Sequence, residues 1–359
     1  MPLVAHTELP TYDNLREQGH DVLTLDRALS QDIRELHIGL LNMMPDAALQ
    51  VTEQQYMRLI GNSNQIVQFY VHPFSIPGLE RGRETQAYID NYYDDFSKLR
   101  DEGLDALIIT GANVTNPALE LESFWAPLQD VLSWATDHVA SVLCSCLATH
   151  ALLKLKHDIN RQRLPRKQWG IFNHRVRDRQ HPLLRDINTR FEMPHSRWND
   201  VPAMLIEAAG LHILIDSEEA GVQLAVSPDH FRFVYFQGHP EYFRNSLLKE
   251  YKREVTRFFD GEIDSLPPQP ENYFSSEAEQ LDLSYLTELI QAKHNNQPMP
   301  LFPEDAFDPH LDNTWGDTGK AIVNNWLGLV YRLTDQNRLI PFMPHVDPLD
   351  PLGLSNGRS

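Results

Sequence analysis

Between residues 37 and 156, short apolar runs alternate with amphipathic ones, and this alternation restricts the fold more than any other feature. "HIGLLNMM" (37–44), "QIVQFYVHPF" (65–74), "DALIITGA" (105–112) and "VASVLCS" (139–145) read as buried strands. Between them, 52–61, 84–103 and 121–138 carry helical spacing, and "LATHALLKLK" (147–156) follows the last strand as a helix. Strands of this length alternating with helices predict βαβ units around a doubly wound, mostly parallel sheet, an α/β fold. Residues 211–237 give three further short strands separated by turns, which predict an antiparallel extension. Beyond residue 262 the chain turns Pro- and acid-rich, with helices near 281–293 and 318–333. The expected organisation is an N-terminal arm (1–35), an α/β body (36–262), a connector and helical extension packing on it (263–345), and a frayed tail (346–359).

The 359 residues carry 31 basic and 50 acidic side chains, a net charge of −19. That balance argues against non-specific nucleic-acid binding and favours a soluble cytoplasmic protein. No apolar run approaches the ~20 residues of a membrane helix, and the N-terminus has no signal-peptide pattern. A cytoplasmic protein without membrane contact is expected.

Both cysteines lie in "SVLCSCLATHALLKLK" (141–156). With a strand ending near 145 and a helix starting at 147, Cys146 occupies a sharp strand-to-helix turn at the C-terminal edge of the sheet. A helix N-terminus there favours thiolate and offers N–H groups to an oxyanion. The neighbours two positions away, Cys144 and Ala148, are small, as a tight turn requires. Position alone leaves Cys146 equally consistent with a nucleophile and with a packed core thiol. Cys144 reads as core, and no metal-ligand spacing accompanies the pair.

A partner for Cys146 is found in "FRFVYFQGHPEY" (231–242), a strand followed by Gly238 and then His239-Pro240-Glu241. Sites in such sheets collect at the C-terminal strand ends. There His239 is placed to serve as base and Glu241 to orient it. His150, four residues after Cys146 on the same helix face, is the rival; it points away from the turn and has no acidic neighbour.

These segments, with "PHSRWND" (194–200), "NTWGDTGKAIVNNWLGLVY" (313–331), and "LPTYDNLREQG" and "RALSQDIRELHIGLLNMMP" near the N-terminus, together resemble the homoserine O-acyltransferases of the succinyltransferase type. The resemblance implies a class I glutamine-amidotransferase-like fold. It also implies acyl transfer from a CoA thioester, a co-substrate rather than a cofactor, to the hydroxyl of homoserine in methionine biosynthesis. It places the acyl-carrying nucleophile at Cys146, the base at His239 and its carboxylate at Glu241. Substrate contacts fall on Lys167 in "RKQWG", Ser196 in "PHSR" and Arg253 in "EYKREV". A homodimer is the family's habit.

Oxyanion donors are expected from the backbone N–H groups of Leu147 and of the turn at Gly111-Ala112. Lys167 also closes a basic cluster, "RQRLPRK" (161–167), suited to CoA phosphates. In the family, the residue at position 115 helps to select the acyl group, Glu accompanying acetyl and Gly succinyl. Thr115 lacks the charge that would repel a succinyl carboxylate, so succinyl-CoA is the expected donor and acetyl-CoA the runner-up. Many relatives carry lysines after the "Met-Pro" at 44–45, where this chain has Asp46-Ala47, so serine stands beside homoserine as acceptor. A glutamine amidotransferase or related Cys-hydrolase is the more distant alternative, having the same Cys–His–Glu arrangement.

Overall fold

The structure, a computed structural model, describes residues 3–114 and 116–354. Two short strands, β1 (Val4–Ala5) and β2 (Leu23–Thr24), pair in the N-terminal arm. The main sheet contains β3 (Glu35–Leu41), β4 (Gln68–Phe74), β5 (Ala106–Ile109), β6 (Ser141–Ser145), β7 (Gln162–Val176), β8 (Arg190–Asp200), β9 (His212–Ser217), β10 (Gly221–Val226) and β11 (Phe233–Phe236). Their order is β4-β3-β5-β6-β11-β10-β9-β7-β8. The first five run parallel and the remaining contacts are antiparallel. The doubly wound, mostly parallel core expected from the alternation is therefore present.

Both faces of the parallel half are buried, which is why its strands are continuously apolar. On β5, Ala106 and Ile108 join one core cluster while Leu107 and Ile109 join the other. On β6, Leu143 packs on the first face and Val142 and Cys144 on the second. Helices cover both sides. Trp326 of the C-terminal helix Gly316–Leu333 is fully buried in the first cluster, and its indole N–H donates to Ser141 Oγ at 2.8 Å.

Three expectations change. The third strand of 211–237, β11, is parallel to β6 and antiparallel only to β10, so it closes the parallel half instead of extending the antiparallel one. The extension is completed by the hairpin β7–β8, which the sequence hides because β7 begins with the charged run at 162–167. The start of β7 pairs with β8 alone, and Arg163 and Arg166 are exposed there, so their charges are tolerated. The helix expected over 84–103 is two helices, Arg83–Tyr92 and Phe96–Glu102. Asp95 caps the second by accepting from Ser97 N–H at 2.7 Å, and Asp94 turns inward. The tail is not frayed over 346–354, since Val346 and Leu352 pack against the main cluster.

The connector also touches the body. Glu271 exchanges backbone hydrogen bonds with Trp169 and Ile171 of β7, both at 2.8 Å.

Candidate active site

Ser141–Ser145 is buried along its length between two parallel neighbours, and Ser145 pairs with Phe236 of β11. The ladder continues one residue further, Cys146 N–H donating to Phe236 O at 2.9 Å. There the chain breaks sharply: Cys146 has φ 51° and ψ −109°, and the helix Leu147–His157 starts at the next residue. A non-glycine backbone in this region costs about 1–3 kcal/mol and persists only where the surroundings impose it. Here the β6–β11 hydrogen bond and the fully buried Ala148 do so. The turn leaves Cys146 partly exposed, while Cys144 is fully buried. Burial pushes the Cys144 thiol well above its ordinary range, consistent with a core role.

Because β6 and β11 are parallel and in register, both leave the sheet at the same end. This brings His239, three residues past Phe236, to Cys146. Gly238 is needed for the approach. Its N–H donates to Gln223 Oε1 at 2.8 Å, and a Cβ there would stand 2.6 Å from that oxygen and 2.8 Å from Pro194 O. His239 N–H donates to the same Pro194 carbonyl at 2.9 Å, so "PHSR" on β8 lies directly against the histidine.

His239 Nδ1 lies 2.7 Å from Glu241 Oε1. Burial alone would drive its proton off; the Glu241 charge, followed by Cys146, outweighs burial and holds His239 protonated well above the ordinary imidazole range. Arg58, from the helix Asp46–Ser63, fixes this turn by donating to the carbonyls of Glu241 (3.0 Å) and Tyr242 (3.3 Å). The rival His150 is buried with Nε2 2.9 Å from Gln237 Oε1. Burial, then Arg197, lowers it to about 3, so it is neutral and has an amide, not a carboxylate, as partner.

The turn carrying Gly111 and Ala112 faces the cysteine. A Cβ at Gly111 would lie 3.9 Å from Cys146 Cβ and 4.0 Å from Leu147 N. The missing side chain leaves space before the Leu147 N–H, where an oxyanion donor is wanted.

Lys167 and Ser196 converge on a residue that the sequence reading missed. Glu250, on the helix Ser246–Phe259, accepts from Lys167 Nζ at 3.1 Å and from Ser196 Oγ at 2.6 Å, and through its other oxygen from Tyr242 OH at 2.8 Å. The Tyr242 ring stacks on His239 with centroids 4.2 Å apart. One carboxylate thus ties both expected substrate contacts to the histidine. The cluster around Lys167 is accordingly part of a strand, with its lysine turned into an ion pair instead of a solvated loop. Arg253 is exposed one turn further along that helix, its Nε donating to Glu254 at 3.1 Å, and among the described residues no contact brings it into the network. Thr115 lies outside the described residues. The only hint of Glu250 in the sequence is its place three residues before Arg253, which gives both one helix face.

Burial raises the Glu250 pKa, but Lys167, then Ser196 and Tyr242, more than reverse this and hold it below its ordinary value. Glu250→Ala is expected to destabilise the fold by about 3–5 kcal/mol, as for one partner lost from a buried pair, read from denaturant midpoints. A depressed folded-state pKa means that this contribution is complete above the unfolded carboxylate value. It is lost as pH falls through the folded value, so the gap between wild type and variant should close in acid.

The chain is similar to known proteins along nearly its whole length. The family model described as homoserine O-succinyltransferase matches residues 2–336. Homoserine O-succinyltransferases of Methylobacter tundripaludum and Methylococcus capsulatus are each 57% identical, over 354 and 355 residues, covering 99% of this chain and all of theirs. Among solved structures, a glutamine amidotransferase of Thermotoga maritima is similar at 12% identity and a TM-score of 0.42, over 83% of this chain and 98% of that one. A cysteine at the sheet's C-terminal edge facing a histidine–glutamate pair, inside a chain so similar along its whole length, has one assignment: the protein is an enzyme belonging to the homoserine O-succinyltransferase family.

Proposed function

We propose that this enzyme moves a succinyl group from succinyl-CoA to the hydroxyl of L-homoserine by a ping-pong route through an acyl-Cys146 thioester, in methionine biosynthesis. The observation that carries the reading is His239 set between Glu241 and Cys146. Because His239 holds its proton, it enters the first half-reaction as an acid. The Cys146 thiolate attacks the thioester carbonyl, and the oxyanion that forms faces the Leu147 N–H and the Gly111-Ala112 turn. The CoA sulfur then leaves with the His239 proton. One thioester replaces another, so this step is near thermoneutral.

The neutral imidazole left behind, beside Glu241, is the base for the second half-reaction. It takes the hydroxyl proton as the homoserine oxygen attacks the acyl-cysteine, and expulsion of Cys146 as thiolate restores the starting charge state. Atoms and charge balance without a metal or redox partner. Lys167 and Ser196, positioned by Glu250, contact the substrate. Arg253 takes the amino-acid carboxylate, releasing Glu254 to do so.

A donor and acceptor panel tests this. Succinyl-CoA with homoserine is expected to give the highest kcat/KM, above acetyl-CoA and above serine. Release of ammonia from glutamine would overturn it in favour of the amidotransferase-type alternative. Arg253→Lys is expected to raise KM for homoserine at least tenfold more than KM for acyl-CoA, because an ammonium lacks the bidentate fork. A change confined to acyl-CoA would move Arg253 to the donor side.

A further inference from the structure

At the far edge of the sheet from Cys146, four imidazole and carboxylate side chains from distant parts of the sequence meet. His6 comes from the arm just after β1, His37 from β3, His72 from the outermost strand β4, and Asp94 from the break between Arg83–Tyr92 and Phe96–Glu102. His6, His72 and Asp94 each offer a donor atom within 4.8 Å of the other two. We propose that His6, His72 and Asp94 form a binding site for a divalent transition-metal ion of the zinc class, which clasps the N-terminal arm to the sheet edge.

The tautomers open to this cluster allow a cation. His37 Nδ1 lies 2.9 Å from His72 Nε2, and His72 Nδ1 lies 2.9 Å from Asp94 Oδ2, whereas His37 Nε2, 3.0 Å from Glu35 Oε1, makes no hydrogen bond among the described residues. Two neutral imidazoles can satisfy both hydrogen bonds. In the other tautomer His72 Nε2–H donates to His37, and His72 Nδ1 turns a lone pair toward Asp94. A metal ion held by those two atoms uses that lone pair. It also gives His72 the outer partner that ligating histidines usually have, an imidazole backed by a carboxylate.

His6 supplies the third ligand. Its Nδ1 lies 3.1 Å from the Tyr12 hydroxyl and 3.2 Å from the Val4 carbonyl, and the tautomer that donates to the carbonyl has its proton on Nδ1. The lone pair is then on Nε2, a buried atom with no hydrogen-bond partner among the described residues. Lys98 contacts the other Asp94 oxygen at 3.4 Å and Arg338 approaches Glu35 at 3.4 Å, so neither cation fills the position between His72 and Asp94.

Two imidazoles and a carboxylate suit zinc, cobalt or nickel and not magnesium or calcium. Tetrahedral coordination places ligand atoms roughly 3.4 Å apart at metal–ligand distances near 2.1 Å. Rotation of His6, on the arm, would close the set. The role is structural, since β4 stands three strands from β6, roughly 14 Å at the usual spacing. Sequence spacing conceals the site, because positions 6, 72 and 94 form no local motif.

The test uses the full chain stripped by chelator and dialysed, titrated with Co²⁺ as a spectroscopic probe and then with Zn²⁺. One equivalent of Co²⁺ is expected to bind with ligand-field bands, to be displaced by Zn²⁺, and to leave a higher unfolding temperature in the zinc form. His6→Ala and Asp94→Asn should each weaken Co²⁺ binding by about a hundredfold or more, whereas His294→Ala, at an exposed helix end, should not. His6 lies on the arm, so its variant reports even if the Asp94 variant misfolds. Absence of stoichiometric binding, with ¹⁵N shifts showing a doubly protonated His72, would overturn the proposal in favour of a proton filling the gap. Binding unchanged by both variants would overturn it as well.

Discussion

Cys146→Ala should lose on the order of 10⁴-fold or more of turnover, because the route through an acyl-enzyme has no substitute for its nucleophile. The measurement is twofold: steady-state kcat, and the mass of the 141–156 peptide after succinyl-CoA is added without acceptor. Wild type is expected to carry the succinyl mass on Cys146, and the variant none. Cys144→Ala is the control, and it should still become labelled. Cys144 is fully buried in the second core cluster, so its loss acts on packing and not on chemistry. An acyl group found only on Cys144, or full activity in Cys146→Ala, would refute the assignment.

The second large effect belongs to the histidine. His239→Ala should lower kcat by about 10²–10⁴, the range for an acid–base group, and both half-reactions should slow, since the same proton serves each. His150→Ala should cost far less when circular dichroism shows it folded. Glu241→Gln gives a sharper test. His239 is protonated well above its ordinary range chiefly because the Glu241 charge outweighs burial. A raised pKa keeps the imidazolium at low and neutral pH and loses it as pH rises through the raised value. Removing the charge lets burial dominate, so the alkaline limb of acyl-enzyme formation should move toward acid. An unshifted limb would mean that Glu241 does not set the protonation of His239.

Much of the fold could be read from pattern. A strand buried on both faces must be apolar throughout, and one ending at a tight turn must have small neighbours. Cys146, His239 and Glu241 lie next to strands of that kind, and a parallel register then brings them to one sheet end. The hairpin β7–β8 was not legible, because Arg163, Arg166 and Lys167 have the spacing of a solvated loop, and the Glu250 partner that buries Lys167 is distant in the chain. The break at Tyr93–Asp95 was hidden for another reason: helical spacing continues through it, and only the Asp95 cap and the inward turn of Asp94 interrupt it.

The sequence by itself determined the α/β class, the sharp turn at Cys146 and the histidine–glutamate pair, because each depends on residues within a few positions of one another, where backbone geometry limits the outcomes. Only the tertiary structure decided what Lys167 and Ser196 do, since their common partner is the Glu250 carboxylate, 83 and 54 residues away along the chain. It also decided that Tyr242 joins that carboxylate to His239, and that His6, His72 and Asp94 meet at the sheet edge. Such contacts arise from strand order and helix packing, which bring distant side chains within hydrogen-bond reach without leaving any local pattern in the chain.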